Sequence, residues 1–159
     1  MKVWLGADHA GFKKKEEVKR WLVDEGYEVE DVGVFDDSEK VDFVDFAILV
    51  ASELGEDERD RGVLFCRNGF GMVIAANRFE KVRCGFGFDV GAVKKGREDD
   101  DINCLAVPAD YVEIGEIKEM IKMMLETEFS EEERFKRRKE KLVLTGDCQG
   151  GCCDLEEKK

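Results

Sequence analysis

The chain has 159 residues, with 26 Lys+Arg against 38 Asp+Glu and a formal net charge of −12. A hydrophobic content of 43% supports one buried core and argues against a disordered chain. The acidity argues against a protein that coats nucleic acid, because phosphate chains need a basic face.

Short apolar runs alternate with helical patterns along the chain. Lys2 to Gly6 reads as a buried strand, and Gly11 to Glu25 as a helix ended by Gly26. Glu28 to Val32 is a second strand, and Val41 to Leu54 an apolar helix. Gly62 to Cys66 and Gly71 to Arg78 form the next strand and helix. Arg83 to Gly87 is a fourth strand, followed by a helix over Val90 to Gly96. Cys104 to Val107 is a fifth strand. Ile114 to Glu126 is a helix, with Ile114, Ile117, Ile121 and Met124 at helical spacing. Ser130 to Leu142 is a last, charged helix, with Ser130 and Glu133 as its capping box. Residues 145–159 change composition and read as a flexible, cysteine-containing tail behind a single domain over 1–144.

Repeated strand–helix units predict a parallel, Rossmann-like α/β sheet with helices on both faces. Such sheets bind ligands at the carboxyl ends of their strands. No apolar run reaches membrane-spanning length, and Met1-Lys2-Val3-Trp4-Leu5 lacks a signal-peptide layout, so no membrane contact and a cytoplasmic location are expected. His9 is the sole histidine, which excludes mechanisms needing two histidines in one chain. Cys66, Cys84 and Cys104 lie near strand-like runs, and Cys148, Cys152 and Cys153 lie in the tail. Without a secretion signal they do not read as a disulfide framework.

Four constellations carry chemistry. Asp8 and His9 fall between the first strand and the next helix, where a carboxylate and an imidazole can meet a sugar hydroxyl. The alternative is that Asp8 caps the helix and His9 lies on the surface. Cys66-Arg67-Asn68-Gly69-Phe70-Gly71-Met72 ends a strand in a glycine turn before a helix. Its N–H groups and the helix dipole favour a thiolate there, unless Cys66 is a small buried hydrophobe. Arg97 to Asn103 reads as an acidic loop, open either to a divalent cation or to water alone. Arg134 and Arg138, four residues apart, share a helix face and can clamp a phosphate or balance nearby glutamates. The three tail thiols make an incomplete zinc site.

Together these elements resemble the ribose-5-phosphate isomerase B family, which also contains the galactose-6-phosphate isomerase subunits. Gly6-Ala7-Asp8-His9-Ala10-Gly11-Phe12 and Gly62-Val63-Leu64-Phe65-Cys66-Arg67-Asn68-Gly69-Phe70-Gly71-Met72 carry the likeness. Ile74-Ala75-Ala76-Asn77-Arg78, Arg97-Glu98, Asp101 and Arg134 to Arg138 extend it. The resemblance implies a three-layer α/β/α sandwich on a five-stranded parallel sheet. It also implies a homodimer or tetramer with active sites shared between subunits, a small phosphorylated sugar as substrate, and no metal or other cofactor. The implied reaction is aldose–ketose isomerisation through an enediolate, ribose 5-phosphate to ribulose 5-phosphate in the simplest case. Cys66 matches the proton-transferring thiol. Asn68, Gly69, Phe70 and Gly71 match the turn that stabilises the enediolate, while Asp8 and His9 match substrate-binding positions. Arg134 and Arg138 match the phosphate-binding pair.

The chain departs from the family pattern around this frame. Asp99 stands where the family has its ring-opening histidine, and Asp100 where it has a substrate-binding asparagine. An ordinary aspartate is ionised at neutral pH and is a poor proton donor to a ring oxygen. Neighbouring carboxylates at Asp100 and Asp101 are one means of raising its pKa. Asp110 stands where an arginine meets phosphate, Arg67 where glycine is usual, and Asn68 where threonine is usual. Arg67 is then the candidate to supply the missing positive charge. Two alternatives stay open: a non-catalytic sugar-phosphate-binding relative or partner subunit, and an isomerase with an altered substrate that needs no ring opening.

Overall fold

A computed structural model describes residues 1–146 of the chain. The described residues form β1 (Lys2–Ala7), β2 (Glu28–Asp31), β3 (Arg61–Cys66), β4 (Cys84–Phe86) and β5 (Cys104–Pro108). The strands pair in parallel in the order β2-β1-β3-β5-β4. Between them run α1 (Phe12–Asp24), α2 (Phe43–Glu53), α3 (Phe70–Ala76) and α4 (Val90–Asp100), with α5 (Ile114–Glu126) and α6 (Glu133–Gly146) last. The three-tail-cysteine expectation lies outside the described residues.

Strand alternation sends side chains into two separate cores. Val3, Leu5, Ala7, Val63, Phe65, Leu105 and Val107 pack with α1, α4 and α5 on one face. Leu64, Cys66, Cys84, Cys104 and Ala106 pack with α2 and α3 on the other. The result is the expected three-layer α/β/α sandwich. Strand order reverses between β1 and β3, so the carboxyl ends of these two neighbours border the switch-point crevice.

Two ion clusters fasten the helices. On the carboxyl side of the sheet, Lys15 is fully buried and reaches both Asp31 oxygens, at 2.7 and 2.6 Å, while Lys19 adds a bond at 2.8 Å. This ties α1 to the end of β2. On the amino side, Asp101 accepts from Arg97 at 2.7 Å, from Arg83 at 2.8 Å and from Lys139. Asp101 thereby joins α4, the entry to β4 and α6.

Three expectations need correction. Arg97 to Asp100 is the last turn of α4 rather than a loop, because Arg97 is buried and pairs with Asp101 one turn on. Asp101 then ends the helix in the left-handed region. No capping box forms at Ser130: its N–H donates to the Glu98 carbonyl and Glu131 turns to φ 54°, so α6 starts at Glu133. α6 also runs on to Gly146, since nothing before that glycine breaks it.

Burial raises the Asp101 carboxyl, but hydrogen bonds from Lys139 and Arg97 outweigh it and hold the group below 3.8. Asp31 behaves alike: burial opposes, and Lys15 and Lys19 lower it. A carboxylate lowered in the fold stabilises above its unfolded pKa, and that stabilisation is lost as pH falls through the folded value. Asp101→Asn keeps a side chain that tolerates left-handed backbone but leaves the cations unneutralised. Chemical denaturation at pH 7 should show a loss of about 3 kcal/mol. The gap between variant and parent should begin to narrow near about pH 4 and close only as pH falls through the lowered folded value, where the parent's carboxylate is protonated too.

Candidate active site

Cys66 closes β3 and is 3% exposed, with its sulfur on the α2–α3 side of the sheet. The turn that follows folds back on it. Gly69 holds φ 75°, and a Cβ there would sit 2.7 Å from the Phe86 ring, so glycine is required on both counts. The Gly69 N–H points at Sγ at 3.2 Å, and the N–H groups of Asn68 and Met72 also face the sulfur. Asn68 Oδ1 accepts the Phe70 N–H at 3.3 Å, which leaves the exposed NH₂ for a ligand. Gly71 lies under the Phe43 ring, where a Cβ would be 2.5 Å from the nearest carbon.

Asp8 sits beside this turn because β1 and β3 are neighbours. Its N–H donates to the Phe65 carbonyl at 3.2 Å. Its Oδ1 accepts from the N–H groups of Ala10 and Gly11, both at 2.9 Å, so Asp8 is buried and secures the turn into α1. His9 is half-buried, and its Nδ1 accepts the Val41 N–H at 3.3 Å. With Nδ1 engaged there, Nε2 is the ring nitrogen left for a ligand.

The thiolate expectation is corrected by the structure. Burial pushes the Cys66 thiol above 9.0, and Asp8 adds to the rise. The turn's N–H groups pull the other way without reversing it. Cys66 is therefore a thiol at rest.

Arg67 and Asp110 extend the ladder between β3 and β5. Ala109 N–H donates to the Cys66 carbonyl at 2.8 Å and Asp110 N–H to the Arg67 carbonyl at 3.1 Å. The Arg67 guanidinium then meets Asp110 Oδ2 at 2.9 Å. Asp110 and Arg67, the two departures noted in the sequence, thus form a pair, which local sequence spacing could not show.

The remaining expected residues lie elsewhere in the same chain. Asp99, half-buried, and Asp100, exposed, end α4, close to the amino edge where Asp101 meets Arg83. The 11 residues of α4 separate them from the carboxyl edge by about 16 Å. Arg134 and Arg138 lie on α6, which packs on α4, and both stack on the buried Phe135 ring, at 4.3 and 5.5 Å. Arg134 also pairs with Glu132 at 2.8 Å. One chain therefore brings Asp8, His9, Cys66, Arg67, Asn68, Gly69, Phe70 and Gly71 together, and holds Asp99, Asp100, Arg134 and Arg138 apart from them. Among the described residues no three metal-ligating side chains gather, and no helix is long and apolar enough to cross a membrane.

The family model described as Ribose/Galactose Isomerase matches residues 3–142. The chain belongs to that family. It is an aldose–ketose isomerase of the sugar-phosphate isomerase group. It is 36% identical over 120 residues to ribose-5-phosphate isomerase B of Escherichia coli (strain K12), covering 76% of this chain and 79% of that one. It is 38% identical over 107 residues to 4-deoxy-4-sulfo-D-erythrose isomerase of Clostridium sp. (strain MSTE9), covering 67% of each chain. The structure of type B ribose 5-phosphate isomerase from Trypanosoma cruzi superposes with a TM-score of 0.86 at 32% identity, covering 92% of this chain and 98% of that one.

Because the thiolate is the reactive form, a raised pKa makes reactivity climb with pH. Carbamidomethylation of Cys66, followed by mass spectrometry, should accelerate about tenfold per unit from pH 7 to pH 9. A plateau below pH 8 would contradict the assignment.

Proposed function

We propose that the chain interconverts an anionic aldose and its ketose at Cys66, with ribose 5-phosphate to ribulose 5-phosphate as the reference reaction. The observation that carries this reading is a cysteine beside Asp8 at the switch point, within a turn of fixed N–H donors. Cys66 first gives its thiol proton to solvent; as a thiolate it then takes the proton from C2 while the electron pair moves through the C1 carbonyl to O1. The enediolate so formed is met by Asn68 NH₂ and by N–H groups of the Gly69–Phe70–Gly71 turn, released from the sulfur as it becomes a neutral thiol. The proton on O2 passes to O1, and the thiol returns its proton to C1, leaving a C2 carbonyl. Asp8 and His9 Nε2 orient substrate hydroxyls.

The reading includes a homodimer. The carboxyl-edge residues lack Asp99, Asp100, Arg134 and Arg138, and a second copy supplies them. The face it fits is apolar: Val44, Ile48 and Leu49 on α2 and Phe70 and Ile74 on α3 are exposed side by side. Contiguous exposed apolar area of this kind marks interfaces. Cys66→Ser should abolish turnover while leaving the melting temperature within a degree or two. Arg138→Gln should cost at least a hundredfold in kcat/KM. Unfolding and refolding an equal mixture of the two variants should restore about a quarter of parental activity, because half the dimers are mixed and each holds one intact site. Absence of any rescue would sink the shared-site reading.

A second reading concerns the sugar. The ring-opening position holds Asp99, and the sole histidine, His9, lies among the substrate-binding positions with Nδ1 engaged by the Val41 N–H. The family's ring-opening histidine therefore has no counterpart in this chain. An acyclic substrate needs none, and a four-carbon sugar substituted at C4 has no hydroxyl free to close a furanose. The clostridial relative is named for such a sugar. Asp99→His should therefore raise kcat/KM for ribose 5-phosphate relative to a four-carbon, C4-substituted aldose. An unaltered ratio would count against Asp99 as the barrier to cyclic sugars.

A further inference from the structure

The carboxyl edge carries a charge arrangement of its own. Arg67 has five guanidinium donors, and one of its nitrogens is engaged, at Asp110 Oδ2. The side chains are 67% and 41% exposed, so the unused donors face open solvent beside the Cys66 turn. Two lysines that follow the first strand are engaged elsewhere. Lys15 is buried against Asp31, and Lys14 donates to the Val112 carbonyl. Of the carboxylates, Asp8 is occupied by two backbone N–H groups, and Asp110 is the one that stays against the guanidinium.

We propose that the Arg67–Asp110 pair is a charge filter for the substrate's terminal anion, in which Asp110 narrows the advantage that Arg67 gives a doubly charged phosphate over a singly charged head group such as a sulfonate. This rests on the isomerase reading for where the sugar lies. Arg67 supplies the contact, and Asp110 is a positioning residue that also subtracts one charge from the field. The two backbone hydrogen bonds between the β3 and β5 turns keep both side chains in register, so a ligand meets them as a unit. Coulomb energy is linear in the ligand's charge. A sulfonate carries one negative charge, whereas a phosphate monoester, with its second pKa near ~6, carries two by about pH 8. Whatever factor Asp110 costs a monoanion, it costs the dianion about the square of that factor. At about 6 to 7 Å through water the factor is about threefold for the monoanion and about tenfold for the dianion.

The test uses two unreactive four-carbon polyols, erythritol 4-phosphate and 4-deoxy-4-sulfoerythritol, titrated calorimetrically at pH 8 and low ionic strength into the full chain. Asp110→Asn should tighten the sulfonate about threefold and the phosphate about tenfold. Arg67→Gln should weaken both, the phosphate again by the square of the sulfonate factor. Equal factors for both ligands, no response to either variant, or no binding of either polyol to the parent chain would overturn the filter. The polyols cannot isomerise, so these outcomes are independent of turnover. Loss of the squared relation in an active enzyme removes the filter alone. A squared relation in an inactive chain keeps the filter and removes the isomerase reading.

Discussion

The site depends on the parting of β1 and β3 at the point where strand order reverses. Their carboxyl ends are hydrogen-bonded neighbours, yet the chain leaves them in opposite directions, to α1 on one face and to α3 on the other. That divergence opens a crevice which no connection crosses. It puts Asp8 from one strand and Cys66 from the other on its two sides, and each residue's surroundings follow. Asp8 has to satisfy the turn into α1, so its carboxylate is bound by backbone. Cys66 has to end a fully buried strand, so its sulfur faces apolar packing on one side and the returning turn on the other.

The same topology explains why the expected site is divided. Each helix that follows a strand runs back towards the amino edge, so a residue at a helix C-terminus ends up opposite one at a strand C-terminus. Asp99 and Asp100 end α4, and the Asp101 ion cluster anchors α6 to that same edge. Arg134 and Arg138 are fixed there by their shared ring, Phe135. Nothing short of unfolding α4 would carry them to Cys66 within one chain. In the homodimer proposed above, the exposed apolar face on α2 and α3, directly beside the crevice, is where the second copy docks and its residues complete the site.

Much of the fold was legible because its signals are local. Short strand-like runs between the helical patterns marked all five strands, and the spacing of Ile114, Ile117, Ile121 and Met124 marked α5 at both ends, since one face of that helix is buried along its length. Misreadings arose where a distant partner decided the outcome. The charges of Arg97 to Asp100 suggested a loop, but the buried Arg97 finds Asp101, Thr127 and Ile102 as acceptors and continues the helix. Ser130 looked like a cap, but its N–H is taken by Glu98. Among site residues, Asp8, Cys66 and the glycine turn were readable because strand ends and turns are local features. The Arg67–Asp110 pair spans 43 positions, and the thiol state of Cys66 depends on burial and on Asp8, neither of which spacing reveals.

A resting thiol also fits the charge of what must bind. The crevice already holds the Asp8 carboxylate, and the ligand brings an anion of its own. A thiolate in place beforehand would be a further buried negative charge, facing both. Holding Cys66 neutral removes that repulsion from the encounter, and the N–H groups gathered on the sulfur are already in position for the charge when it develops. During proton transfer the negative charge moves from sulfur to the enediolate oxygens, and the same turn can follow it across the crevice with little rearrangement of backbone. The donors that fail to make Cys66 a thiolate at rest are thus better matched to a charge that moves during the reaction than to one that stays put.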